Sequence, residues 1–325
     1  MTPPIDARAT STAGTRPPVD RRLRDEVLGG LLGAPKTLPP KLFYDARGAE
    51  LFERITQLEE YYVTRAELEI LRSNAGAIAA LAGPRCALVE FGSGAGVKVR
   101  LLLDALDAPV AYVPIDISCA QLARVASSLA TDYPHLSVRP LCADFSAPLR
   151  IPRLPGGARR LAFFPGSTIG NFHPAEATAF LRRVRRALGP GGALILGVDR
   201  CKEAGALHAA YDDREGVTAA FNLNLLVRLN RELAANFALH HFRHRAFYAA
   251  GPRRVEMHLE SIADHDVQVA GSRIGFVRGE TIWTESSYKY DCTRLNALTS
   301  SAGFEVSGIW TDAAQQFWVA FLVAR

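Results

Sequence analysis

The stretch Ala87-Leu88-Val89-Glu90-Phe91-Gly92-Ser93-Gly94-Ala95-Gly96-Val97-Lys98 decides the fold. A short apolar run ends in an acid and a glycine-rich turn, and the apolar-patterned segment Val99–Leu106 follows. Strand, turn and helix in that order is the grammar of a nucleotide-type cofactor site. Glycines let the backbone turn tightly and let a ligand approach where a Cβ would stand.

Dinucleotides and S-adenosylmethionine (SAM) share this turn, and a purely structural turn is the third reading. Two details lean toward SAM. Val97 occupies the position of the third glycine in G-x-G-x-x-G, and Glu90 stands two residues before Gly92. SAM brings no pyrophosphate; its methionyl ammonium and carboxylate call for an acid and a base, and Lys98 is the candidate base.

Downstream, strands and helices alternate. Tyr112–Asp116 predicts a strand ending in an acid, where a carboxylate can accept the ribose hydroxyls of either cofactor. Leu136–Leu141 predicts a third strand leading into Ala143-Asp144-Phe145. Asp144 suits an adenine amino group and Phe145 an apolar wall, although Asp144 alone reads equally well as a turn residue. Arg160–Phe164 predicts a fourth strand, followed by the polar loop Pro165–Asn171 at the end where ligands bind in open α/β sheets. A helix over Pro174–Leu188 and a strand over Ala193–Val198 complete an α/β fold with a doubly wound, mostly parallel, Rossmann-like sheet.

After Asp199 the period changes. Ala204 to Leu239 reads as helical, and Val255–Leu259, Asp266–Val269 and Arg273–Tyr290 alternate with period two. Cys292–Ala302 and Phe317–Val323 read as a helix and strand rejoining the first sheet. The expected organisation is a flexible tail over 1–20, a cofactor domain of 66–201 plus 290–325, and an α+β substrate domain of 21–65 plus 202–289. Their cleft is the natural substrate site. Upstream, Arg21–Leu32 predicts a helix, and Thr64-Arg65-Ala66-Glu67 reads as a capping box opening a second one that stops at Gly83-Pro84.

The chain has 325 residues, 48% of them hydrophobic and 22% charged, which excludes global disorder. Its net charge of +5 is spread along the chain, so nucleic acid is not an expected partner. Five cysteines without a C-x-x-C pair fit reduced thiols in a cytoplasmic protein. No apolar run approaches a membrane span, and His240-His241-Phe242-Arg243-His244 lacks further partners at ligand spacing, so neither membrane nor metal is expected. No self-association stripe is evident, and a monomer is expected.

Several blocks together are more specific than any one motif. They are Leu38-Pro39-Pro40-Lys41-Leu42-Phe43-Tyr44-Asp45, Glu60-Tyr61-Tyr62-Val63-Thr64-Arg65, Glu90-Phe91-Gly92-Ser93-Gly94, Gly166-Ser167-Thr168-Ile169-Gly170-Asn171, Ala210-Tyr211-Asp212-Asp213, Gly216–Asn222 and Thr284-Glu285-Ser286-Ser287-Tyr288-Lys289. In this order, over about Leu38 to Arg325, the chain resembles the SAM-dependent histidine Nα-methyltransferases of ergothioneine biosynthesis. The resemblance implies a class I SAM methyltransferase that takes histidine to hercynine.

The resemblance also implies roles. Gly92, Lys98, Asp116, Asp144 and Phe145 would hold SAM. Tyr61 and Tyr211 would bind the amino-acid carboxylate, and Asn171 the α-amine, with Tyr44 beside it as a possible aid to proton removal. Glu285 and Ser287 would address the imidazole, while Phe221 and Met257 line the pocket. Glu59 and Val63 replace prolines common in the family, so a freer loop is expected there. The glycine loop also departs from the family's usual continuation at Ala95-Gly96-Val97-Lys98-Val99. Other readings are the same N-methylation on another amino acid such as a tryptophan derivative, a NAD-dependent oxidoreductase, and a non-catalytic SAM-binding protein.

Overall fold

A computed structural model of the protein describes residues 20–154 and 156–325; the tail expected over 1–20 lies outside these but for Asp20. Its centre is an eight-stranded sheet. Across the sheet seven strands run Phe304–Thr311, Phe317–Ala324, Ala193–Asp199, Arg160–Phe164, Ala87–Phe91, Ala111–Asp116 and Ser137–Val138, and the eighth, Leu141–Cys142, also pairs with Ala111–Asp116. The strands from Ala193–Asp199 to Ser137–Val138 pair in parallel, and the last two chain segments add an antiparallel hairpin. The order reverses between Ala87–Phe91 and Arg160–Phe164. That switch point opens a crevice at the carboxyl ends of these strands.

Successive side chains of a strand face opposite layers, and the two cores follow that alternation. Leu88, Tyr112, Leu161 and Phe163 pack with Ile70, Leu71 and Ile78 of the helix Tyr62–Ala82. Val89, Val113, Ala162 and Phe164 pack on the opposite face with Phe180 and Leu181 of Pro174–Leu188 and Leu295 of Cys292–Ala302.

The third expected strand is broken. Ser137–Val138 and Leu141–Cys142 pair separately with Ala111–Asp116, because Pro140 between them has no N–H for the ladder. The same pairing sets Cys142 opposite Asp116, bringing it near Cys119 on the following helix. The two are joined as a disulfide with a Cα–Cα distance of 5.2 Å. The reduced-thiol reading therefore fails for this pair, while Cys86, Cys201 and Cys292 are free. The sequence reading also missed Phe304–Thr311, an edge strand whose alternate residues are solvent-facing.

The insertion forms a second sheet ordered Lys36–Thr37, Thr281–Tyr288, Arg254–Ser261 and Phe242–Ala249. The hairpin His265–Val269/Ser272–Phe276 stands apart. The expected helical stretch is two helices, Ala204–Ala209 and Val217–Glu232, separated where Asp213 caps the second by accepting from the N–H groups of Val217 and Thr218. Leu225, Leu226 and Leu229 of that second helix share a core with Val255, Met257 and Leu259. The N-terminal segment ties in through Asp45, which accepts from Asn224 at 2.8 Å and pairs with Arg231 at 2.7 Å.

Candidate active site

One cavity of about 780 Å³ extends from the glycine turn to the second sheet, and every site residue named from the sequence lines it. At the cofactor end, Gly92 turns with φ +76°, and a Cβ on Gly94 would meet nothing within 4 Å, so the turn leaves room for a ligand. Ser93 Oγ is buried there without a partner among the described residues. Asp116 is fixed by accepting from Gly94 N at 3.1 Å and Ser118 N at 2.9 Å. Phe145 packs edge-on against Phe91 and Phe164. Asp144 is already engaged, with one oxygen on Ser146 N at 2.9 Å and the other on Lys41 at 3.0 Å. Glu90 lies beneath the turn, where burial lifts its carboxyl to about 8 against a hydrogen bond from Tyr112. A void faced by glycines, fixed carboxylates, an aromatic wall and an unpartnered hydroxyl fits an adenosyl amino acid.

Lys98 does not stand free. Its ammonium pairs at 2.5 Å with Glu67, which is fully buried. Glu67 also accepts from Gly166 N at 2.9 and 3.1 Å. The capping-box reading is corrected here: the helix begins at Tyr62, and Glu67 turns inward to bracket the glycine turn and the loop carrying Asn171. Gly170 of that loop packs so closely on the second sheet that a Cβ would lie 2.8 Å from Tyr288 O. Asn171 ends the short helical turn Thr168–Asn171 and so faces the cavity between the two sheets.

At the far end, Tyr44, Phe52, Tyr61 and Phe221 form an aromatic wall with centroid spacings of 5.8 to 6.3 Å. Tyr61 meets Tyr211 edge-on at 6.4 Å. Burial pushes the Tyr44, Tyr61 and Tyr211 phenols above their ordinary range, so they stay protonated. The loop before Tyr61 is held without the family's prolines, because Arg65 donates to the carbonyls of Leu58, Glu59 and Tyr61. The expected loosening is thereby offset.

Glu285 reaches the cavity through a backbone irregularity. Trp283 pairs with His258 and Glu285 with Met257, so Thr284 is an extra residue in its strand. Without that bulge, Trp283 and Glu285 would share a face; with it, Glu285 joins Met257 in the cavity wall. The Thr284 hydroxyl pins the bulge by donating to Met257 O at 3.0 Å. Burial lifts the Glu285 carboxyl to about 7, with the Lys289 ammonium pulling the other way.

Ser287 belongs to a buried network that sequence reasoning missed. Its hydroxyl lies 2.7 Å from that of Tyr211, and Lys289 Nζ donates to both, at 2.9 and 3.0 Å. Behind Lys289 stands Asp199 at 2.7 Å, which also accepts from Tyr62 and pairs with Lys202. Asp199 ends a strand of the first sheet and Lys289 directly follows a strand of the second, far along the chain; the bridge between Arg200 and Tyr290 brings them together.

With this geometry in place, comparison with known proteins decides the family. A model described as histidine-specific, SAM-dependent methyltransferase matches residues 23–324. The chain belongs to that family. It is therefore a SAM-dependent methyltransferase, and the oxidoreductase reading is overturned. Histidine N-alpha-methyltransferase of Mycolicibacterium smegmatis is 42% identical over 93% of this chain and 94% of its own. Ergothioneine biosynthesis protein 1 of Neurospora crassa is 32% identical over 85% of this chain and 32% of its own. The 4-dimethylallyltryptophan N-methyltransferase of Claviceps purpurea is 28% identical over 90% and 92%.

Proposed function

We propose that this methyltransferase acts on the α-amine of L-histidine, three times in succession, giving hercynine. The observation that carries the reading is the order of groups along one cavity. An end lined by the glycine turn, Asp116, Asp144 and Phe145 leads past Asn171 to an end walled by Glu285, Ser287 and three phenols. The kinship to a histidine N-alpha-methyltransferase at 42% identity supports it.

When bound, SAM supplies an electrophilic sulfonium methyl, and each transfer forms an N–C bond as the S–C bond breaks. The residues that would hold it are Gly92, Asp116, Asp144 and Phe145, with Glu90 and Lys98 toward its charged end. The protein's remaining work is positioning, which is where much of the rate of such a displacement comes from. Asn171 would accept an amine N–H through its amide oxygen and aim the lone pair without competing as a nucleophile. Tyr61 and Tyr211 would donate to the carboxylate. Glu285 and Ser287 would satisfy the two imidazole nitrogens, which an indole cannot do, and a site so built rejects apolar side chains strongly. Tyr44 serves as a hydrogen-bond partner and not as a base, because its phenol is pushed up by burial and by the Glu285 and Asp116 carboxylates. Water is then the acceptor of the amine proton. The aromatic wall of Tyr44, Phe52 and Phe221 would favour the positive charge that develops on the amine during each transfer.

The test is mass spectrometry of a reaction with SAM and an equimolar mixture of the proteinogenic amino acids. A gain of three methyl groups on histidine alone is expected. Methylation of tryptophan or another amino acid instead would keep the cofactor end and overturn the roles of Glu285 and Ser287.

A further inference from the structure

Lys289 and Asp199 are both fully buried, and the three N–H groups of the ammonium are matched by three acceptors: Asp199 Oδ2 at 2.7 Å, Ser287 Oγ at 2.9 Å and the Tyr211 phenol at 3.0 Å. A charge buried this deeply is costly unless every donor is satisfied. The cluster is also unbalanced. Asp199 faces two ammonium groups, Lys289 and Lys202, so the balance in contact is cationic; Asp312 lies farther off on the Lys202 side, and burial holds Lys202 down at about 8.

No lysine or arginine lines the cavity around Tyr61, Asn171, Tyr211, Phe221, Met257 and Ser287 among the described residues. The cations that do line it are Lys41, Lys98 and Arg183. Lys41 and Lys98 are paired with carboxylates, and Arg183 donates to Ser146 O beside Asp144, at the cofactor end. Positive charge reaches the amino-acid end only from behind, through the Tyr211 and Ser287 hydroxyls.

Hydrogen counting then restricts what those hydroxyls can offer. The lysine only donates, so both oxygens accept from it. Tyr211 donates to Ser287 across the 2.7 Å between them, which leaves the Ser287 hydrogen free for the cavity. With histidine bound that bond would open, so that Tyr211 turns to the carboxylate and Ser287 to the acceptor nitrogen of the imidazole. A ligand group met there is an acceptor, and a hydroxyl whose oxygen already accepts from an ammonium is a strengthened donor.

We propose that Lys289 is the positioning residue that makes the amino-acid end select a carboxylate, by orienting and polarising the Tyr211–Ser287 pair. This rests on the reading of Tyr61 and Tyr211 given above. A merely structural lysine, needed only to neutralise Asp199, would support binding of any amine equally.

The experiment compares L-histidine with L-histidinamide, in which the carboxylate is replaced by a neutral amide, in the full-length wild type and in Lys289→Met. The wild type should prefer histidine strongly. In Lys289→Met, kcat/KM for histidine should fall about a hundredfold, mainly through KM. Histidinamide should change less than about threefold and SAM affinity, by calorimetry, less than about twofold. Equal losses for both substrates, or a retained preference for histidine, would overturn the role of Lys289 while leaving the substrate reading intact. A wild type without preference would overturn the carboxylate reading itself. Because Lys289→Met leaves Asp199 short of a partner, Lys289→Met/Asp199→Asn is the second variant, and the same collapse of preference is required of it.

Discussion

Glu285 carries its carboxyl in the cavity wall, where burial brings it to about 7, so its charge changes in the range where such an enzyme is assayed. In the proposed role it accepts an imidazole N–H as a carboxylate above that value; below it only a weaker, neutral carboxyl remains. As pH falls below about 7, kcat/KM for histidine should therefore steepen by one proton. Glu285→Gln should lack that extra limb and be about 10- to 100-fold weaker at pH 8, an estimate for removing a charged hydrogen-bond partner. The substrate's own amine adds the same slope to both enzymes, so an identical steepening in Glu285→Gln would exclude Glu285 as its source. Glu90 gives a stability counterpart. Its folded value of about 8 lies above the ordinary carboxylate range. The folded state thus holds a proton that the unfolded state releases, and stability contributed by the protonated form is lost as pH rises toward and through 8. Glu90→Gln should flatten that loss and raise the unligated protein's Tm by a few degrees at pH 8.5, from a shift worth at most about 5 kcal/mol. The same change should weaken SAM binding. A Tm difference independent of pH between 5 and 9 would contradict the assignment.

At the scale of elements, two devices aim the site. The bulge at Thr284 sends Glu285 to the cavity face, and Thr284→Val keeps the shape but removes the hydroxyl bond to Met257 O. A loss of about 1 kcal/mol is expected, with histidine KM raised several-fold and SAM affinity unchanged. An unchanged KM would mean that the backbone pairing alone holds the bulge. The second device is Glu67, where one buried carboxylate fixes both Lys98 and Gly166. Glu67→Gln should cost affinity for both ligands, because the glycine turn and the Asn171 loop loosen together; isothermal titration with each ligand separates this from the Thr284 effect. These devices also mark where the sequence stopped being legible. Apolar runs ending in an acid or a polar loop gave away the parallel strands, since burial on both faces leaves a continuous signature. Pro140 breaking a strand could have been read, as could the half-exposed alternation of Phe304–Thr311. The bulge could not, because Thr284 looks like any strand residue until its partner strand is known. Glu67 was legible only as a local cap; its actual partners lie on other elements, and no helical pattern announces them.

At the scale of the whole molecule, the N-terminal segment spans both ends of the cavity. Tyr44 and Tyr61 stand at the end proposed for the amino acid, while Lys41, three residues before Tyr44, bonds Asp144 at the end proposed for the adenine and Glu26 of the first helix. Asp45 anchors the same segment to Arg231 and Asn224 of the insertion. One short stretch is thus held by Lys41 to Asp144 beside the first sheet and by Asp45 to the helix Val217–Glu232 of the insertion, with Tyr44 in the cavity wall between them. The block Leu38–Asp45 drew notice in the sequence for Tyr44; that Lys41 would close on Asp144 depends on how the segment folds back over the crevice, which no local pattern encodes. Burial of Asp144 raises its carboxyl, but Ser146 and Lys41 outweigh that and hold it below the ordinary range, so it remains charged and paired at neutral pH. Lys41→Met should break the closure at the adenine end alone, because Asp45 still anchors the other side. SAM affinity is expected to fall roughly three- to thirtyfold, on the order of 1–2 kcal/mol, with histidine KM at saturating SAM changed less than about twofold. A matched loss at both ends would instead mean that the segment moves as one rigid cover, with Lys41 as its latch.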